Sequence, residues 1–342
     1  MIGIARVAAL SLLAMMAMAM AMAMATATAR AEDALKAKVG VLRLSSSAPV
    51  FIAQDKGYFR DAGLDIELKF FDAAQPIAVA TTSGDVDFGV TAFTAGLYNL
   101  AGKGVLKVIG GMSREKPGYP LIGYFASNNA YAAGLKTPKD LAGKRIAMTQ
   151  VGSSFHYSLG LLADKYGFRL SDVKIVPLQS LSNAAAALKG ETVDAALLPI
   201  STARKLMDDG GAKFLGWVGD ETPWQLGAVF ASPKTLANKV LVTKFLAVLA
   251  RADREYHDVI LASMKDGVAP INERTKPLLE IIAKYTNLPV EQVVGNCAYI
   301  DPDGKLDVKN VDNQIKWLQE QGFADKGYDA DAIIAKDYVK AD

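Results

Sequence analysis

Short β-branched runs alternate with longer amphipathic stretches along most of the chain, and this alternation restricts the fold more than any single motif. Strand-like runs fall at residues 38–44, 64–70, 86–90 and 105–110, and a second set at 145–149, 173–177, 193–198 and 214–218. The stretches between them carry helix punctuation. Thr137, Pro138 and Asp140 supply a cap, a first-turn proline and an acidic third position, and the run 182–189 stops at Gly190. Strands alternating with helices predict the α/β class with parallel sheets.

A faint duplication refines this. Gly84-Asp85-Val86-Asp87-Phe88 follows an Ala/Thr-rich stretch, and Gly190-Glu191-Thr192-Val193-Asp194-Ala195 follows an Ala-rich one. In each copy Gly ends a helix and Val-Asp begins a short buried strand. Two ordinary helix-to-strand turns would look the same, yet the similar spacing of elements around both copies favours two lobes of like build. Apolar, glycine-containing segments at 120–126 and 225–232 are placed to carry the chain between them. Beyond the second, Leu241, Phe245, Val248, Leu249, Ala252, Tyr256 and Ile260 keep a 3.6-residue period. These later helices are expected to pack back on the first lobe.

Residues 1–31 are expected to be a cleaved export signal. Arg6 precedes the apolar run 7–25, and Ala29-Arg30-Ala31 is a small-residue cleavage site. The run is Ala- and Met-rich, with no positive cluster after it to stop transfer, so a membrane anchor is the lesser reading. Export places the protein in the periplasm. Losing Arg6 and Arg30 leaves 36 of the 38 basic residues against 36 acidic ones, a near-neutral chain with no basic face for nucleic acid or anionic membrane. Cys297 is the only thiol, so about 310 residues must rely on their cores without an internal disulfide.

In open α/β sheets, ligands meet the loops at the carboxyl ends of strands. That rule gathers Ser45 to Ser47, Phe71 and Asp72, Thr91 to Thr94, Gln150 to Tyr157, Gln179 and Ser180, and Leu198 to Ser201. The turn Gly152-Ser153-Ser154-Phe155-His156-Tyr157 is the most informative of these. A glycine and two hydroxyls at a strand-to-helix junction leave first-turn N–H groups unpaired, and such a helix end attracts anions. The expected ligand contacts are Ser46, Ser47, Thr91, Ala92, Phe93, Gln150, Ser153, Ser154, Phe155, His156, Gln179, Leu198 and Trp224. Bland roles compete: the Ser and Thr residues also suit helix caps, and His156 also suits a satisfied structural imidazole. Trp224 is as well suited to interlobe packing as to stacking on a ligand.

Catalysis finds little support. Ser153 and His156 lack the G-x-S-x-G elbow, two histidines and one cysteine match no metal-ligand spacing, and no P-loop or G-x-G-x-x-G occurs. No cofactor or metal is expected.

Residues 53–66, Ala-Gln-Asp-Lys-Gly-Tyr-Phe-Arg-Asp-Ala-Gly-Leu-Asp-Ile, resemble the opening signature of the ABC-importer periplasmic binding proteins for sulfonates, taurine, nitrate and thiamine-type pyrimidines (the NMT1/THI5-like family). Ser83-Gly84-Asp85-Val86-Asp87-Phe88-Gly89, Leu141-Ala142-Gly143-Lys144-Arg145-Ile146-Ala147 and the hydroxyl-rich turn at Gly152 extend the likeness over most of the mature chain. It implies a type II two-lobe binding protein: lobe 1 from 32–122 and 229–342, lobe 2 from 123–228, joined by a two-stranded hinge. The resemblance further implies that Ser153 and Ser154 hold an acid group, that 45–47 and 91–93 cover it, and that a membrane permease is the partner of a monomer. Where many sulfonate-type members carry an aromatic and an acidic residue, this chain has Leu197-Leu198-Pro199-Ile200, leaving only Asp220 or Glu221 to face a ligand amine. Phe93, Phe155, Leu198 and Trp224 point instead to an apolar ligand body, a larger sulfonate or an aromatic carboxylate rather than taurine. A neutral heterocycle, an enzyme on the same scaffold and a receptor-docking sensor remain as alternatives.

Overall fold

All eight strand-like runs form strands, and they sort into two five-stranded sheets. The computed structural model describes residues 34–342, so the leader expected at 1–31 lies outside the described residues. The first sheet contains β1 (Leu35–Leu42), β2 (Leu64–Phe71), β3 (Phe88–Ala92), β4 (Lys107–Gly111) and β12 (Gly227–Ala231), in the order β2-β1-β3-β12-β4. Between β4 and β12 in the chain lie β5 (Arg114–Glu115), β6 (Ile122–Ala126), β7 (Arg145–Met148), β8 (Lys174–Pro177), β9 (Ala195–Pro199), β10 (Lys213–Trp217) and β11 (Trp224–Gln225). The second sheet has the order β10-β6-β9-β7-β8.

The sheets are mixed rather than parallel, which corrects the sequence expectation. β12 runs antiparallel to β3 and β4, and β6 runs antiparallel to β9 and β10. These are the strands that enter each sheet from the opposite one, so they arrive pointing the other way. β1 with β3, and β7 with β8 and β9, keep the parallel pairing of βαβ units.

The duplication is physical. Val39 pairs with Phe88 in the first sheet, and Ile146 with Ala195 in the second, each 49 residues apart. The Asp87 carboxylate accepts from the Lys38 backbone N–H at 2.7 Å, and that of Asp194 accepts from the Arg145 N–H at 2.7 Å. In both copies one aspartate at a strand's start fixes the register of the neighbouring parallel strand.

The expected crossovers lie slightly off their true positions. Segments 122–126 and 227–231 are buried sheet strands, and the chain crosses just before each one. There β5 and β11 pair antiparallel, Glu115 opposite Trp224 and Arg114 opposite Gln225. Gln225 is the fastener of this ribbon. Its amide donates to the Gly227 carbonyl at 2.8 Å, its N–H donates to Asn310 Oδ1 at 2.9 Å, and its carbonyl accepts from Gln314 Nε2 at 2.7 Å.

Among the described residues nine helices of eight or more residues flank the sheets: α1 (Ala48–Asp55), α2 (Ala74–Ser83), α3 (Ala95–Gly102), α4 (Ser154–Tyr166), α5 (Leu181–Lys189), α6 (Ile200–Asp208), α7 (Lys239–Val259), α8 (Lys276–Thr286) and α9 (Val308–Glu320). Helix α7 packs on the first lobe as its period predicts, with Phe245 stacked 4.0 Å from Phe88. Helix α9 does more than expected. Val311, Ile315 and Leu318 join the first lobe's core, while Trp317 reaches the second lobe. A Cβ on Gly160 would stand 2.1 Å from the Trp317 ring, so glycine there makes room for the indole. Among the described residues no helix is long and apolar enough to cross a membrane.

Three buried groups in the ribbon lack hydrogen-bond partners among the described residues, Arg114 Nε, Trp224 Nε1 and the Glu115 carboxylate, and the last is the costliest. Glu115 is 1% exposed, and neither carboxylate oxygen makes a hydrogen bond, although the Ile122 and Gly219 amides lie close enough to favour its charge weakly. Burial pushes its carboxyl well above the usual range. A raised folded pKa favours folding at low pH, and that contribution fades as pH climbs above about 4.3, where the unfolded carboxyl ionises. Glu115→Gln, a neutral mimic of the protonated acid, should therefore stabilise the fold by about 1–3 kcal/mol at pH 8. Urea unfolding at pH 4 and pH 8 checks this: the gain should be small at pH 4 and should grow with pH.

Candidate functional site

The carboxyl ends of the central strands of both sheets face one cavity. Its empty space, including the mouth, is about 700 Å³, the size range of a small-molecule site. First-turn or capping residues of six helices line it: Ser46 and Ser47 before α1, Ala74 and Gln75 on α2, Thr94 before α3, Ser153 to Phe155 at α4, Leu181 on α5, and Pro199 before α6. Leu42, Leu44, Met112, Leu121, Ile122 and Leu226 supply apolar wall. The lining holds no Asp, Glu, Lys, Arg or His.

Three of these helix starts have no side-chain cap. Helix α2 begins after Ala73, which has no polar atom to offer, and α1 and α6 likewise lack a capping hydrogen bond from Ser47 and Pro199. The lack of a side-chain cap is not full availability, however: the Ile200 N–H that opens α6 donates to the Leu121 carbonyl at 2.9 Å, and in α1 the Ala48 N–H donates to the Ser45 carbonyl and residue 49 is proline. Two hydroxyl or amide groups are also open. Thr91 Oγ1 is buried without a partner. The Thr94 hydroxyl accepts from Leu97 N at 3.1 Å and donates to Gln75 Oε1, which turns the Gln75 amide into a donor with no acceptor among the described residues.

The Gly152 turn behaves differently from expectation in part. Ser153 does line the cavity, but its hydroxyl caps its own helix, accepting from His156 N at 3.4 Å. The Gly152 carbonyl is spent as well: it accepts from the Ala95 N–H at 2.8 Å, a backbone link across the cleft to the first turn of α3. Gly152 sits at φ +75°, and a Cβ would stand 2.8 Å from that of Ala95, so only glycine allows this approach. Ser154, next in the turn, lines the cavity, and only its carbonyl, accepting from the Ser158 hydroxyl, is engaged through a side-chain hydrogen bond.

Of the sequence candidates, Ser46, Ser47, Thr91, Ala92, Gln150, Ser153, Ser154 and Phe155 are brought together in the lining. Gln179 lies at an adjoining outer recess, which shares Thr149, Gln150, Ala73 and Gln75 with the cavity. Four others are placed elsewhere. Phe93 stacks on Tyr98 at 4.9 Å inside the first lobe's core, and Leu198 is fully buried in the second. Phe93 and Leu198 each adjoin a lining residue, Ala92 and Pro199, but their own side chains turn into the lobe cores, since successive side chains on extended backbone alternate in direction. Trp224 packs edge-on against Tyr157 at 5.0 Å in the hinge region. His156 is 2% exposed, with Nδ1 accepting from the Gly152 N–H at 3.0 Å and its ring against Phe323 and Trp317. Nor do the two acidic candidates reach the cavity. Glu221 binds Lys165 and Tyr166, and Asp220 accepts from Gly118 N.

Gln75, Thr94, Ser113 and Thr149 are the polar lining residues not expected as ligand contacts from the sequence. Thr94 and Gln75 sit at strand ends already singled out, whereas nothing in the local pattern marks Ser113, which enters through the hinge. Among the described residues no group of His, Cys, Asp and Glu is arranged to hold a metal ion.

Comparison with known proteins accords with this architecture. The family described as NMT1/THI5 like matches residues 45–257, well over half of the chain. The chain belongs to the NMT1/THI5-like family. It is 29% identical over 183 residues to the taurine-binding periplasmic protein of Escherichia coli strain K12, a match that spans 53% of either chain, about half the length of that relative. The crystal structure of the periplasmic aliphatic sulphonate binding protein SsuA from Escherichia coli is similar with a TM-score of 0.67 at 18% identity, covering 89% of this chain and 98% of that one. The alkanesulfonate-binding protein SsuA from Xanthomonas axonopodis pv. citri, bound to MOPS, gives 0.67 at 21% identity, covering 90% and 98%. This NMT1/THI5-like chain thus has the two-lobe fold of periplasmic binding proteins.

Burial lowers the His156 pKa to about 4, so the imidazole is neutral at pH 7. A depressed folded pKa costs stability as pH falls: the unfolded histidine takes up a proton near 6.5 and the folded one resists until about 4. Unfolding free energy should therefore drop by up to roughly 3 kcal/mol across that window from this residue. His156→Gln should flatten the slope between pH 6.5 and 4, measured by urea unfolding; an equal slope in both proteins would contradict the assignment.

Proposed function

We propose that this chain is the periplasmic solute-binding protein of an ABC importer, capturing a small organic anion, a sulfonate or an aliphatic or aromatic carboxylate. In this reading the lobes, 32–122 with 229–342 and 123–228, close on the ligand about the β5–β11 ribbon and present the closed form to a membrane permease. The observation that carries it is the cavity itself, ringed by six helix starts and free of any charged side chain. Helix N-termini favour negative charge, and shielding from water strengthens each N–H and O–H contact to it. The relatives' names, taurine-binding and sulphonate-binding, agree with an acidic head group. The ligand contacts proposed are Ser46, Ser47, Thr91, Gln150, Ser154 and Gln75, with Leu42, Leu44, Ile122 and Phe155 against the ligand's apolar body.

The lining has no carboxylate for an ammonium group. A charged amine buried there would lose hydration without gaining a partner. An unaminated alkanesulfonate should accordingly bind at least tenfold tighter than its aminated counterpart of equal length.

Thermal-shift and calorimetric screening against sulfonates, carboxylates, nitrate, taurine and neutral pyrimidines tests the proposal. A ligand at a hundred times its dissociation constant should add about 2.7 kcal/mol of stability. Binding confined to neutral heterocycles would refute the anion reading, and turnover of a bound compound would favour an enzyme. Thr91→Val should weaken the ligand about tenfold, roughly 1.4 kcal/mol, with apo stability equal or slightly higher because an orphan buried hydroxyl is gone. Unchanged affinity in that variant would remove Thr91 from the site.

A further inference from the structure

A second cavity opens at the outer edge of the first sheet, sharing no lining residue with the interlobe one. Its empty space is about 580 Å³. Edge strand β4 contributes Ile109, Gly110 and Gly111, and helix α7 contributes Leu246, Leu249, Ala250 and Asp253. The turn at Asp303 and Gly304 and the C-terminal residues Tyr338 and Lys340 complete it.

Asp253 is the anomaly here. It interrupts the apolar stripe of α7 at a position only 3% exposed, and its Oδ1 is buried with no hydrogen-bond partner. Of the two cations nearby, neither hydrogen-bonds Asp253. Arg254 donates to Asp303 at 3.1 Å, and Lys340, at the cavity wall, forms no ion pair among the described residues. Asp301, the neighbouring acid, accepts from the backbone N–H groups of Asp303 at 2.9 Å and Lys305 at 3.2 Å. Gly304, at φ +64°, brings its backbone close to the carboxylate: a Cβ there would lie 3.3 Å from Asp253 Oδ2. The fold therefore places an acid where a charged carboxylate without partners costs several kcal/mol, and keeps open space beside it.

Burial first, and Asp301 second, raise the Asp253 carboxyl well above its usual range against the smaller opposing pulls of Arg254 and Lys340, which favours the protonated form in the empty site. An arriving ammonium or guanidinium would displace that proton and supply the missing donors. We propose that this cavity is a second small-molecule site, taking a primary amine or guanidine with a short apolar body whose N–H groups donate to the Asp253 carboxylate. Ile109, Val229, Leu246 and Leu249 provide the surface for the body.

Calorimetry with n-butylammonium and n-butylguanidinium tests this, with n-butanol and tetramethylammonium as controls lacking the charge and the N–H donors respectively. Saturable one-to-one binding of the first two, at least tenfold tighter than the controls and tightening from pH 5 to 8, is expected. Asp253→Asn should abolish it without loss of stability, and Ala250→Phe should block it by filling the cavity. Lys340→Ala should strengthen binding severalfold by removing a like charge from the wall. No binding, binding unaffected by Asp253→Asn, or a Lys340→Ala variant that is destabilised and still fails to bind amines would overturn the proposal. The last result would make Lys340 itself the carboxylate's partner. Because the proposed interlobe ligand is an anion and none of these variants touches that cavity, failure here leaves the proposed function standing.

Discussion

Helix starts converge because strand ends converge. In a βα unit the helix begins where the strand stops, so two sheets whose carboxyl edges face each other necessarily point many helix N-termini into one space. Six such ends share the interlobe cavity. Each carries a fraction of a positive charge, and their mutual crowding is what suits the cavity to the proposed anion. The binding chemistry is therefore a property of the fold before it is a property of any side chain. A fixed Arg or Lys would do the same task at the cost of desolvating its own charge in the empty site. Amide dipoles carry no such penalty.

That convergence depends on holding two sheets at the right separation, and a thin ribbon does so with help. Two residues of β5 pair with two of β11, which alone is a marginal structure. Helix α9 reinforces it. Asn310 and Gln314 hydrogen-bond the Gln225 backbone, the Tyr98 hydroxyl donates to Gln314, and Trp317 fills the groove over Gly160. The backbone bond from Ala95 to Gly152 then ties the two lobes across the cleft. The turn that looked like a ligand grip is thus also a latch, and the open donors lie on Thr91, Ser154, Gln75 and the uncapped helix starts.

Much of the fold was legible because its signals are local. The strand runs, the helix stops at Gly84 and Gly190, and the duplicated Val-Asp step all follow from periodicity and turn chemistry, which act between near neighbours. The misplacements have a common cause. Phe93 and Leu198 stand one residue away from cavity-lining Ala92 and Pro199, and a shift of one position along a strand reverses which face a side chain occupies. His156 and Trp224 were ambiguous because burial is decided by what packs above them, here Phe323, Trp317 and Tyr157, which are remote in sequence. The antiparallel sense of β6 and β12 escaped notice for a related reason: strand direction is set by which sheet a strand joins.

The sequence by itself determined the α/β class, the two-lobe duplication, the family likeness and the uncharged, hydroxyl-rich character of the loops at the strand ends. Those depend on residue type and short spacing. Only the tertiary structure decided which hydroxyls stay unpaired, that Ser153 and Gly152 are engaged by the protein itself, and that Asp253 is stranded beside empty space. Hydrogen-bond satisfaction and burial are sums over contacts between distant segments, and no local pattern contains them.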